Sequence, residues 1–394
     1  MQAIPASASQ DRPSAGQLFS YPFRIFFLSM AVLGMVAIPA WILQALGVIQ
    51  LPLALPGLFW HQHEMLFGFL SAAIAGFLLT AVCVWTSTER THGLRLGLLW
   101  GVWLAGRLLL AFGASAPDWL VQGVNLAFLP LVMLDAGWRI WVARQKRQVM
   151  ILIMLGLLWL MQAGFVLLLD PVFSYGALVM ALALISVIGG RITPSFSAGW
   201  LGRQGQNPEL VRQVPALDLA NLVAMVLGMA SLVAGLPLVA AGLALLAAAL
   251  MLVRLIGWQG WRTAREPLLW MLHLAMLWVP VALVLLAGSL ALGWPGNAWA
   301  HAAGTGAIGC LILGVVARVA LGHTGRPLVL PKGIVVAFVA VHLAALIRVA
   351  TAFGVLPWHP GIGLSTGLWL LAYGLFLWRY AGILARPRPD GVPG

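Results

Sequence analysis

Charge is what this sequence lacks. Only 8% of its 394 residues are Asp, Glu, Lys or Arg, where a water-soluble domain carries about a quarter. So few charges cannot cover the surface of a soluble globule. With 62% hydrophobic residues and a mean hydropathy of +0.99 the chain is composed for lipid. Cysteine is scarcer still. Cys83 and Cys310 are the only two, both in apolar runs, at a spacing that fits neither a disulfide framework nor a CxxC metal site. Acidic side chains number 10 against 22 basic ones. The basic residues stand singly between apolar runs and form no patch for a polyanion, so no nucleic-acid partner is expected. No internal repeat and no soluble domain is visible, and the missing repeat speaks against a transporter built from duplicated halves. No small-residue cleavage site follows the first apolar run, which is therefore expected to be a retained helix.

What is present is a series of apolar runs. A spanning helix needs about 20 mostly apolar residues. That rule predicts an all-α integral membrane protein of about twelve transmembrane helices. They lie near 24–49, 64–86, 94–112, 119–141, 148–169, 174–191, 216–235, 237–256, 267–290, 298–319, 332–354 and 362–383. The organisation is an N-terminal tail over 1–23, one transmembrane domain over 24–385 and a C-terminal tail over 386–394. The division at Gly235-Leu236-Pro237 is the least marked, and a re-entrant element is the alternative there.

Orientation follows from the basic residues. Arg12 and Arg24, then Arg90 and Arg95, Arg139 to Arg147, Arg191 to Arg212, Arg254 to Arg265, Arg318 to Lys332 and Arg379 to Arg388 fall at alternate connections. The intervening connections offer at most Asp118, Asp170, Glu64 or a histidine. The alternation predicts both termini in the cytoplasm. Arg107 and Arg348 stand apart, inside spans.

Histidine and arginine carry what chemistry there is. His61 and His63 lie at the outer end of the second helix and His301 at the outer end of the tenth, with Arg107 and Arg348 in the outer halves of the third and eleventh. Three imidazoles meeting there suit copper or haem iron, and the arginines suit anionic groups such as haem propionates. Residues two apart on a helix point to different sides. His61 and His63 therefore share one ligand set only if the helix start is unwound, and otherwise serve neighbouring centres. Glu64 is placed to accept a hydrogen bond from an imidazole or to carry protons. A second group, His273 and His323, lies toward the cytoplasmic side, with Gly189-Gly190-Arg191-Ile192-Thr193-Pro194 and Gly322-His323-Thr324-Gly325-Arg326-Pro327 read as loops folded against the bundle. His342 fits a structural hydrogen bond as well as ligation. For Arg107 and Arg348 the plainer alternative is a salt bridge or a helix cap. Asp135 and Asp218 are expected to pair with neighbouring arginines, and His92 and His359 to be solvated.

Several stretches together resemble the NnrS family. They are His61-Gln62-His63-Glu64-Met65-Leu66-Phe67-Gly68-Phe69, Ala75-Gly76-Phe77-Leu78-Leu79-Thr80-Ala81-Val82, Gly106-Arg107, Gly190-Arg191-Ile192-Thr193-Pro194, Leu272-His273-Leu274, His301-Ala302 and Gly322-His323-Thr324-Gly325-Arg326-Pro327-Leu328. One departure is Cys83-Val84-Trp85, where the pattern leads one to expect Pro-Asn-Trp. The resemblance implies a twelve-helix protein of the bacterial inner membrane that binds haem, of b type, and copper and protects against nitrosative stress. It implies His61, His63, His273, His301 and His323 as ligand candidates and Arg107, Arg191, Arg318 and Arg348 as anion partners.

Three functions are consistent with these residues. The first is an oxidoreductase that consumes nitric oxide, reducing it to nitrous oxide, with Glu64 as proton carrier and quinol or a periplasmic donor as electron source. The second is a nitric-oxide-binding or sensing protein with the same ligands and no turnover. The third is a proton- or metal-coupled transporter, since intramembrane histidines and arginines also mark ion paths. The two groups of histidines lie at opposite depths, which predicts two centres unless the ninth and tenth helices are broken.

Overall fold

A computed structural model describes residues 14–392. Arg12 and the rest of the first thirteen residues lie outside the described residues, as do the last two. Among the described residues twelve helices are long and apolar enough to cross a membrane, and no strand occurs. They are α1 (Pro22–Ala45), α2 (Gly57–Thr86), α3 (Gly93–Phe112), α4 (Asp118–Val142), α5 (Lys146–Leu168), α6 (Pro171–Arg203), α7 (Pro208–Val233), α8 (Pro237–Gly257), α9 (Pro267–Leu292), α10 (Gly296–His323), α11 (Ile334–Ala352) and α12 (Trp358–Ala385). Gly235, at φ +72°, separates α7 from α8 as a turn and not as a re-entrant element. It adopts a left-handed conformation that side chains disfavour.

Ser14, the start of α1 and the end of α12 meet at one end of the bundle. Ser14 N–H donates to Ala385 O at 3.1 Å, and Arg24 Nη1 donates to the carbonyls of Leu384 and Arg386. Arg388 Nη1 reaches His323 O at 3.3 Å, so the α10–α11 connection joins them there. At the far end, Ala54 N–H donates to Leu110 O and Ala114 N–H to Pro52 O.

Three helices form the centre. The most apolar stretches of α2, α6 and α10 are 83%, 72% and 72% buried, against 33–56% for the other nine. Small residues allow that closeness. Gly306 lies under the Trp278 ring and Gly309 under Trp369, each where a Cβ would come within 2.7 Å.

Two expectations about helix ends fail. The Gly189–Pro194 stretch is no loop, because α6 continues through it to Arg203 with Pro194 inside. Its glycines serve packing. A Cβ on Gly189 would meet Met276 Sδ at 2.5 Å, and one on Gly190 would meet Arg254 Nη2 at 2.2 Å. Likewise α2 begins at Gly57, seven residues before the hydropathy edge, so His61 and His63 stand on a helix and not on an unwound start. Where the family pattern suggested a proline, Cys83 Sγ donates to Leu79 O at 3.2 Å and α2 runs on to Thr86.

Both α2 and α10 contain a π-helical stretch, Glu64–Phe69 and Ala302–Gly309. Such insertions leave carbonyls without their usual partner and cluster at functional sites. Here other helices supply donors. Trp103 Nε1 donates to Gly68 O at 3.0 Å, Arg107 Nη1 to Phe67 O at 3.0 Å, and Tyr373 Oη to Gly309 O at 2.9 Å.

Candidate functional site

The two central helices start alike. Pro56 and Pro295, both with extended ψ, precede Gly57 and Gly296, and a tryptophan follows three residues after each glycine. A short α-helical stretch leads α2 to His61 and His63 and α10 to His301, and the π stretch follows. Leu58, His61, Gln62, Met65, Leu66 and Phe69 of α2 line a cavity of about 270 Å³, as do Asn297, Ala300, His301, Gly304, Thr305 and Ile308 of α10. Counted from the proline, the two sets occupy the same six positions. The recurrence corrects the expectation of no internal repeat. It escapes notice in the sequence because only the prolines, glycines and tryptophans of the two openings are identical.

His61 and His301 are thereby brought to one cavity. The His61 ring stacks on Trp41 with centroids 5.4 Å apart and planes at 15°, and its Nδ1 is buried without a hydrogen bond. His301 Nδ1 lies 2.7 Å from Asn297 O. A carbonyl only accepts, so the proton is on Nδ1 and the lone pair on Nε2, the form that ligates metals. Arg348 of α11 lines the same cavity, and its Nη1 is buried without a hydrogen-bond partner. Ser174, Tyr175, Ser365 and Thr366 add hydroxyls, and no carboxylate is present.

These residues fit a haem. Two neutral imidazoles suit its iron, and a guanidinium without a counter-charge suits an anionic edge. No group of three or more His, Cys, Asp or Glu side chains among the described residues is arranged to hold a metal. His63, two residues on along the same helix, does not line the cavity with His61 and His301.

His63 belongs to a second, closed network. Its Nε2 lies 3.2 Å from Gln162 Nε2, so the amide donates and the imidazole proton is on Nδ1, 3.5 Å from Glu64 Oε1. Glu64 Oε2 is 3.1 Å from Arg107 Nε. Arg107 Nη2 donates to Asn125 Oδ1 at 2.6 Å. All of these side chains are buried. Glu64 is thus the counter-ion of Arg107 and does not line the cavity. Gly68 makes room for the pair: an added Cβ would meet Leu33 at 2.8 Å and both Arg107 Nη1 and Glu64 Oε2 at 3.0 Å. Gly68→Ala is expected to destabilise the protein by about 1–3 kcal/mol, read as a lowered thermal midpoint in detergent. An unchanged midpoint would show that the network yields freely.

The remaining candidates stand elsewhere. His273, two turns into α9, has Nε2 at 2.8 Å from Ser197 Oγ. His323 ends α10, its ring 5.5 Å from Phe23. The two have different neighbours, and neither lines the cavity. Arg191 is exposed and reaches Gln148 Oε1 at 3.4 Å. Arg318 lies 3.9 Å over the Phe196 ring. His342 accepts from Trp278 Nε1 at 3.1 Å through Nδ1. As expected, Asp135 pairs with Arg95 and Arg139, and Asp218 with Arg254 at 2.6 Å. His92 and His359 are exposed.

The sequence does not single out Gln162 and Asn125, and it places Arg254 in a connection. Arg254, read as part of a cytoplasmic connection, is buried inside α8 and donates to Ser186 and Asn221. The available signal was an amide or cation inside an apolar run, which is costly in lipid unless partnered.

A family model described as NnrS protein matches residues 17–388. No curated protein matches the chain.

Proposed function

The chain belongs to the NnrS family, and from that premise we propose that it serves the nitric oxide response as an inner-membrane oxidoreductase. Its central cavity would hold a haem, and it would consume nitric oxide by reduction. The observation that carries this reading is the convergence of His61, His301 and the unpartnered Arg348 on one cavity of the bundle. Haem iron supplies a site that binds nitric oxide and exchanges single electrons.

Every other requirement falls on the chain. His61 and His301 would hold the iron, with Trp41 and the Asn297 carbonyl fixing the orientation of their rings. Arg348 would neutralise an anionic edge of the cofactor. Aliphatic and aromatic side chains make up much of the lining, and nitric oxide, an apolar gas, would be able to reach it through lipid. The balanced reaction takes two nitric oxide molecules, two electrons and two protons to one nitrous oxide and one water. The electrons would come from quinol or a periplasmic donor. With the termini in the cytoplasm, as the Lys and Arg distribution supports, the cavity end of the bundle faces outward. For the copper that the family resemblance implies, no group of three or more His, Cys, Asp or Glu side chains is assembled among the described residues.

One observation favours a second reading, binding or sensing without turnover. The cavity has no carboxylate to pass protons, and Glu64 is committed to Arg107. Anaerobic addition of nitric oxide to the reduced, purified protein separates the two. The reductase reading expects sustained nitrous oxide formation above that of free haem. Uptake that saturates at a fixed ratio to protein establishes the binder, and no uptake at all overturns both.

A further inference from the structure

Two imidazoles on one haem leave nitric oxide no position on the iron. A haem offers two axial positions, and His61 and His301 together would take both. One of them must yield, and the cavity treats them unequally. α2 and α10 line it with the same six positions, yet His61 stands fifth after Pro56 and His301 sixth after Pro295. The two rings therefore meet different surroundings.

His301 is built to stay. Its Nδ1 lies 2.7 Å from Asn297 O, one helical turn earlier in α10. That carbonyl keeps the proton on Nδ1 and leaves the Nε2 lone pair for a metal. Such a partner raises the basicity of a ligating imidazole, and its loss costs about 10–100-fold in metal affinity. His61 has no such partner, because its Nδ1 is buried without a hydrogen bond. Ligation through Nε2 requires the proton on Nδ1, and there it would be a buried donor with no acceptor, which is costly. The other tautomer has no lone pair on Nε2 and cannot ligate through it.

Off the metal, His61 has a place to rest. Its ring lies nearly flat on Trp41, with centroids 5.4 Å apart and planes at 15°. Trp41 stands two residues after Pro39, inside α1, where a proline removes a backbone hydrogen bond and bends the helix. Gly57 leaves room for the indole, since a Cβ there would lie 3.0 Å from Trp41 Cζ3.

We propose that His61 is the exchangeable ligand of this cavity and that Trp41 supports its ring when it leaves, while His301 keeps the iron. The exchange is a ligand substitution. The bond between His61 Nε2 and iron breaks with its electron pair returning to the imidazole, and the incoming diatomic gas donates a pair at the vacated position. No proton or electron is transferred. The proposal rests on a haem held by both imidazoles, as proposed above, and adds which of them gives way and what receives it.

The test uses full-length protein in nanodiscs, as wild type, His61→Ala, His61→Phe, His301→Ala and Trp41→Leu, with carbon monoxide as a probe that is not turned over. Haem content, the spectrum of the reduced protein and the rate and affinity of carbon monoxide binding are read for each. The wild type is expected to hold a six-coordinate reduced haem. Its binding rate should reach a plateau as carbon monoxide rises, because His61 must leave first. His61→Ala is expected to retain haem about tenfold or more tightly than His301→Ala, and to bind carbon monoxide at a rate proportional to its concentration. His61→Phe, which keeps an aromatic ring against Trp41, should behave alike and gives the same reading if His61→Ala fails to fold. Trp41→Leu should lower carbon monoxide affinity by roughly 2–10-fold, the contribution of an aromatic stack, and an unchanged affinity overturns the part given to Trp41. A plateau that persists in the His61 variants, or haem lost from them as fully as from His301→Ala, overturns the proposal and leaves the haem cavity standing. A wild type without haem overturns both.

Discussion

His301→Ala is expected to strip the protein of the haem proposed for its central cavity. The imidazole enters the cavity with its proton held on Nδ1 by Asn297 O and its lone pair on Nε2, and no other side chain of α10 on that face is a strong metal donor. Loss of an outer partner of a metal ligand already costs about 10–100-fold in affinity, so loss of the ligand itself should exceed that. His61→Ala should act in the same direction. His273→Ala and His323→Ala should leave haem content unchanged, because neither side chain lines the cavity. Haem per protein, measured across the four variants purified alike, checks the assignment. A loss confined to His273→Ala and His323→Ala would move the centre to the opposite end of the bundle.

The second large effect belongs to stability. Glu64→Gln is expected to destabilise the protein by roughly 3–5 kcal/mol, the usual consequence of leaving one member of a buried ion pair alone. Glu64 is 1% exposed and Arg107 is 7% exposed, so water cannot replace the missing charge. Replacing both, as Glu64→Gln with Arg107→Met, should recover a large part of the loss, since the uncompensated cation is then gone. Thermal unfolding in one detergent, followed for the two single variants and the double, reads this directly. A proton carrier behaves differently: Glu64→Gln would slow turnover and leave the thermal midpoint where it was.

Hydropathy made the bundle legible. Each of the twelve spans read from apolar runs has a helix at its place, because lipid demands length and apolarity from every spanning segment. Helix ends were less legible where glycine and proline serve packing, as at Gly190 under Arg254. Sequence alone also brought His61, His301 and Arg348 to one depth, since the basic residues order the connections. It could not divide His61 from His63. That division depends on the helical start at Gly57, which lies before the apolar run begins. Nor did it show Glu64 held by Arg107, because the partners are 43 positions apart in the chain and meet only through packing of α2 on α3. The likeness of α2 to α10 rests on few identical residues and became visible through the cavity that both line.

The central claim is that the cavity between α2 and α10 holds the haem at which nitric oxide is met. Its most direct test is the dithionite-reduced minus oxidised spectrum of the purified wild-type protein, repeated after anaerobic nitric oxide addition, with metal analysis of the same sample. A haem spectrum that shifts with nitric oxide and vanishes in His301→Ala is expected. Protein from haem-sufficient cells that shows no haem, or a haem whose spectrum survives in both His301→Ala and His61→Ala, would contradict it.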